Sequence, residues 1–147
     1  PHMLAWIVSH GGADFAYLQD YDVHAWPEHH FAHLPAGSRG IDQFIGVPKM
    51  IGQGHGSAFI RAYVEQLFTS GVSAVGTDPH PANARAIRAY EKAGFVCGDI
   101  ANTPWGCSVL MKAMPNPRPK AGMGKTRPVS AASRPTLWLA LALPGLW

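Results

Sequence analysis

Cysteine is nearly absent. Cys97 and Cys107 are the only two in 147 residues, which excludes a disulfide scaffold and offers no paired spacing for a metal. Long apolar runs are missing too. The one from Leu137 to Leu143 falls far short of the ~18–20 residues of a membrane span. Nothing at the start reads as a secretory signal, so a reducing cytoplasm is expected. Charge is scarce, at 14% against 47% apolar. That balance excludes a solvated polyelectrolyte and leaves enough apolar side chain for one domain with a real core. Acid is missing from the C-terminal third: all nine acids lie between Asp14 and Asp99.

What is present divides the chain by charge. Seven bases up to residue 114 leave the body at −2, and five bases after it give the tail +5. The pI of 9.1 therefore describes the tail and is no argument for nucleic-acid binding by the body. The stretch 115–147 opens rich in Pro, Gly and Lys, as linkers are, and ends in the apolar LWLALALPGLW. That end reads either as a strand or helix docked on an apolar face or as a disordered extension. Pro1-His2-Met3 reads as a cloning remnant outside the fold.

Within 4–114, Leu4–Ser9 and Ala13–His24 read as a hairpin around Gly11-Gly12. Trp26–Ser38 reads as a loop and Gly40–Val47 as a third strand. Phe59, Ile60, Tyr63, Val64 and Leu67 recur at helical spacing within Ser57–Ser70. Ser73–Thr77 is a short strand, and Ala84–Ala93 a helix capped by Asn83 and ended by Gly94. Phe95–Ile100 and Ser108–Ala113 close the order β-β-β-α-β-α-β-β, a mixed α/β (α+β) arrangement.

Gly52-Gln53-Gly54-His55-Gly56 lies between a strand and a helix. Glycines let backbone approach a ligand, and the first N–H groups of a helix are free to bind anions. The spacing fits neither the ATP-binding P-loop nor the dinucleotide fingerprint, so a plain flexible connection remains an alternative. The loop resembles the coenzyme A loop of the GCN5-related N-acetyltransferases, Gln/Arg-x-x-Gly-x-Gly/Ala. Gly54 and Gly56 match its glycines, and Ile51 stands at the Gln/Arg position. RGIDQ (Arg39–Gln43) and TDPHPANARAIRAYEKAGF (Thr77–Phe95) occur with it in order. Together they resemble the aminoglycoside 6′-N-acetyltransferases of that superfamily.

The resemblance implies a mixed, mostly antiparallel sheet flanked by helices. It also implies that the family's opening strand and two helices are missing here, with the exposed sheet covered by the apolar tail or a second copy of the chain. Acetyl-CoA is the implied cosubstrate, held by Ile45, Val47, Gly52, Gln53, Gly54, His55, Gly56, Ser57, Asn83 and Ala86. An aminoglycoside or another polyamine is the implied acceptor, or else the chain is a non-catalytic remnant. No nucleic acid, membrane or metal is implied. The expected mechanism is direct transfer in a ternary complex, without a covalent enzyme intermediate.

Acetyl transfer to an amine needs a group that attracts the ammonium and takes its proton, and a donor for the leaving thiolate. By the resemblance Asp42 is the base and Tyr90 the acid, with Asp78 a further acceptor contact. From the residues alone, Asp42 also reads as a partner for Arg39, Asp78 as a turn residue before Pro79, and Tyr90 as core. Asp20 and Asp22 alternate on one strand face, where they either charge the acceptor site or are solvated. His24, His29, His30 and His33 crowd one loop with Trp26 and Phe31. That loop is expected to be solvated or substrate-adjacent rather than a metal centre, with Trp26 and Phe31 able to stack on a sugar ring.

Overall fold

The computed structural model describes residues 1–117 and 139–141. Among the described residues the chain forms seven strands: β1 (Met3–His10), β2 (Ala13–Asp22), β3 (Arg39–Ile45), β4 (Val75–Thr77), β5 (Val96–Thr103), β6 (Gly106–Ala113) and β7 (Leu139–Leu141). The 3.6-residue periodicities build α1 (His55–Thr69) and α2 (Ala84–Lys92), and a single 3₁₀ turn, Pro48–Met50, follows β3. The expected order therefore holds, extended by β7. Two features differ from expectation. Met3 is not outside the fold but pairs with Tyr21, and the Asp22 amide donates to the His2 carbonyl at 2.8 Å. The last two strands also run beyond the expected Ile100 and Ser108, until only Pro104 and Trp105 remain between them.

The strands lie side by side in the order β5-β6-β4-β3-β2-β1-β7. Every neighbouring pair is antiparallel except β3 and β4. At the β1 edge, Trp6, Ile7 and Val8 pair with Leu141, Ala140 and Leu139. The apolar end of the tail thus contributes a strand to the sheet. The rest of the tail reading falls outside the described residues.

Period two along the strands sends side chains to two different cores. On one face Leu18, Ile41, Val75 and Met111 pack with Ile60, Tyr63 and Val64 of α1 and Tyr90 of α2. On the other, Tyr21 and Ala74 pack with Val23, Phe31 and Leu34 of the segment between β2 and β3. That segment, read as a plain loop, is the lid of a second core. Gly40 is required there, because any Cβ would run into the Tyr21 ring.

A buried polar cluster ties four elements together. Asp20, fully buried, is ion-paired with Arg39 and accepts from the Tyr63 hydroxyl, which in turn accepts from Trp6 Nε1 at 2.7 Å. A buried charge is tolerated only with such partners.

Candidate active site

The site begins where the sheet comes apart. β3 and β4 share only two pairings, Arg39↔Val75 and Gly40↔Gly76. β3 then runs on to Ile45 while β4 stops at Thr77 and the chain turns into Asp78-Pro79. Beyond Gly40 the two strands are unpaired, and a gap opens in the middle of the sheet.

On the helix side of the gap lies a cleft of about 600 Å³. Its walls are β3, the glycine loop with the start of α1, and one face of α2. Gly54 caps α1 at φ 83°, a left-handed conformation that favours glycine, and there is no side-chain cap or acid in the first turn. A Cβ at Gly52 or Gly54 would meet nothing within 4 Å. The loop is therefore open backbone facing space, with the first N–H groups of α1 beside it. α2 adds Arg85, Arg88 and Lys92 to the same cleft. Their i, i+3, i+7 spacing was a readable sign of one basic helix face. The whole wall suits a chain of phosphates.

On the opposite side of the sheet lies a second cleft of about 760 Å³. Gln19, Tyr21, Trp26, His29, His30 and Trp105 are among its walls. Asp42 and Asp78 line both clefts. Alternation explains this: Ile41 points to the helix-side core, so Asp42 points the other way, and Asp78 follows Thr77 in the same manner.

Both carboxyls are uncomfortable. Burial pushes Asp42 above the usual carboxylate range, while the hydrogen bond from Gln19 (2.9 Å) and the nearby His29 pull it back. Burial, then the charge of Asp42, raises Asp78 to about 6. Two near carboxylates in a semi-buried junction create an electrostatic demand for a cation. Tyr90 stands on the helix side, 4% exposed, its ring edge-on to Phe95 at 5.3 Å. Burial pushes its phenol up to about 12, with Thr77 and Gln43 beside it acting in the other direction.

Of the residues expected at the cofactor, Ile45, Gly52, Gly54, Gly56, Ser57, Asn83 and Ala86 line the helix-side cleft, as does Ile51. Asn83 also caps α2, accepting from the Ala86 amide at 3.1 Å. Three others are not among its lining. Val47 packs on the hydrophobic core, Gln53 donates to the Lys49 carbonyl, and His55 lies against His10 and Phe15. Asp20 is a correction. Its side chain has no exposed surface and is committed to Arg39 and Tyr63, so it offers nothing to an acceptor. Arg39 pairs with Asp20 rather than Asp42.

The histidine loop divides. His24 faces the Leu34 carbonyl and His33 the His30 carbonyl, whereas His29 and His30 enter the second cleft. Trp105 reaches that cleft from the β5–β6 turn, a placement that no local signal announces. Phe31, suggested as a stacking surface, is buried in the second core, while Trp26 remains half exposed at the cleft.

Residues 1–102 match the family model of the acetyltransferase (GNAT) domain. The chain belongs to the GNAT acetyltransferase family. Over 76 residues this acetyltransferase domain is 47% identical to aminoglycoside N(6′)-acetyltransferase type 1 of Klebsiella pneumoniae, covering 51% of this chain and 38% of that protein. It is also 47% identical over 76 residues to a kanamycin resistance protein of Rhizobium radiobacter, covering 51% of this chain and 70% of that one. The aligned part thus spans well under half the length of the Klebsiella relative. Among solved structures, AAC(6′)-Ib in complex with paromomycin and acetyl-CoA superposes with a TM-score of 0.73 at 34% identity, covering 82% of this chain and 71% of that one. AAC(6′)-Ib with coenzyme A and kanamycin gives a TM-score of 0.71 at 36% identity, covering 77% and 67%. The expected fold class is therefore the observed one. Among the described residues, no helix is long and apolar enough to cross a membrane.

Proposed function

We propose that this chain transfers an acetyl group from acetyl-CoA to a primary amine of a polycationic small molecule, an aminoglycoside 6′-amine first among them. One observation carries the reading: Asp42 and Asp78 stand where a phosphate-friendly cleft and an acid-lined cleft meet through the opened sheet. The likeness to proteins described as aminoglycoside 6′-N-acetyltransferases and as a kanamycin resistance protein supports the acceptor class. The cytoplasm is where acetyl-CoA and such an acceptor would meet.

The residues present fit coenzyme A. Backbone N–H groups at Gly54–Ser57 would take the diphosphate, and Arg85, Arg88 and Lys92 the remaining phosphate charge. Bound there, acetyl-CoA supplies an activated thioester. The chain's own residues do the rest. Asp42 and Asp78 draw the acceptor ammonium to the junction, and its charge relieves their mutual repulsion. Asp42, fixed by Gln19, takes the proton that the amine must lose. Its raised affinity for protons makes it a better base than an ordinary carboxylate. Tyr90 remains protonated at all working pH values, since its phenol sits at about 12. Full proton transfer from such a phenol to a thiolate with a pKa near ~8.5 is uphill, so Tyr90 steadies the departing sulfur chiefly as a hydrogen-bond donor.

Thiol release from acetyl-CoA, measured with kanamycin, spermine and a peptide N-terminus, tests the proposal. Release equal to the kanamycin consumed, and lost in Asp42→Asn, is expected. Release with spermine or the peptide but not kanamycin would replace the acceptor. Binding of acetyl-CoA with no release to any amine would leave a non-catalytic remnant.

A further inference from the structure

His29 and His30 stack ring on ring, centroids 4.2 Å apart. Phe31 at 4.6 Å and Trp105 at 6.1 Å flank the His30 ring. His30 Nε2 lies 3.1 Å from Asp78 Oδ2, but off the line a hydrogen bond needs. Both His30 ring nitrogens are sealed from solvent and lack a hydrogen-bond partner. A phenylalanine would fill such a place at no polar cost, so packing alone does not account for an imidazole.

We propose that His30 is a positioning residue for Asp78: its imidazole, with Nε2 3.1 Å from Oδ2, backs the carboxylate at the junction of the two clefts and, by a small turn of the ring that brings Nε2–H onto Oδ2, holds it toward an incoming ammonium. This rests on the acceptor site proposed above. The chemistry favours a neutral donor. A lysine or arginine at this place would cancel the Asp78 charge and compete with the acceptor, whereas an aliphatic residue would leave the carboxylate unheld. The groups that face the pair agree. His29 and His33 lie on its own segment, Asp42 comes from β3, Tyr21 from β2 and Tyr90 from α2, with Glu28, His80 and Cys107 elsewhere on the acceptor-side wall. Burial, then the neighbouring histidines, lower His30 to about 4. Near pH ~7 the ring is thus neutral while Asp78, at about 6, is charged.

Long-range ¹H–¹⁵N correlation on the labelled full chain reads the His30 tautomer near pH ~7 with no substrate present. A neutral ring protonated at Nε2, with signals that shift in Asp78→Asn, is expected. Thiol-release kinetics then compare His30→Gln, which keeps a side-chain N–H, with His30→Phe, which keeps the packing only. The kanamycin KM should rise about tenfold in His30→Phe and much less in His30→Gln, with kcat and the acetyl-CoA KM unchanged in both. A charged ring, a proton on Nδ1, or equal kanamycin KM in the two variants overturns the proposal. If the wild-type chain releases no thiol with kanamycin, the acceptor reading fails, and the tautomer with its response to Asp78→Asn decides the positioning role alone.

Discussion

Asp78→Asn is expected to make the protein more stable and a poorer acceptor-binder at once. The Asp78 side chain is only 15% exposed. Burial, then Asp42, raise its carboxyl from 3.8 to about 6, with a backbone hydrogen bond opposing them. A rise of that size corresponds to about 3 kcal/mol of native-state cost for the ionised form, trimmed to about 2 kcal/mol because the side chain keeps some contact with screening solvent. The native state holds this proton more tightly than the unfolded chain does. The resulting stability is fully present below 3.8 and lost as pH rises through about 6. Asparagine never ionises and escapes the loss. At pH ~7.5 the variant should melt several degrees higher, roughly 4–8 °C for about 2 kcal/mol in a domain of this size. At pH ~4 the gap should nearly close. Circular-dichroism melts of both proteins at the two pH values measure this. A variant less stable at pH ~7.5, or a gap independent of pH, would refute the picture of Asp78 as a charge held against its surroundings for a cation.

Asp42→Asn should cut kcat roughly 10²–10³-fold in thiol release while the melting temperature does not fall, since the amide keeps the contact with Gln19. Tyr90→Phe should slow turnover about 10-fold or more but leave coenzyme A binding intact by calorimetry; full activity would remove its role. Asp20→Ala leaves Arg39 and Tyr63 without their buried partner and should destabilise by about 3–5 kcal/mol in urea denaturation; a change near zero would show that the cluster is not a stabilising one.

Much of the sheet and both helices were legible because one periodicity governs each segment. Phe59 to Leu67 repeat at helical spacing, and Asn83 and Gly94 mark the limits of α2. The roles of Asp42 and Asp78 were suggested by RGIDQ and TDP, and alternation along β3 and β4 then decided which way they point. Asp20 was misread because its strand looks polar on that face. The face is in fact covered by α1, and only a partner nineteen residues away, Arg39, makes a carboxylate tolerable there. The place of Trp105 beside His30 escaped for a similar reason. The β5–β6 turn carries Trp105 there only because β6 also pairs with β4, a contact with no trace in local sequence. Met3 was set aside on its neighbours' identity, although pairing with Tyr21 depends on backbone alone.

In the proposed function, open backbone at the mouth of α1 would hold the diphosphate of coenzyme A. Calorimetric titration of coenzyme A into the full chain and into Gly54→Val tests it most directly, because φ at that position is 83° and a β-branched residue resists it. One site in the wild-type chain, and affinity at least about 10-fold weaker in a folded Gly54→Val protein, is the predicted result. No heat in the wild-type titration, or equal affinity in both proteins, would contradict the account.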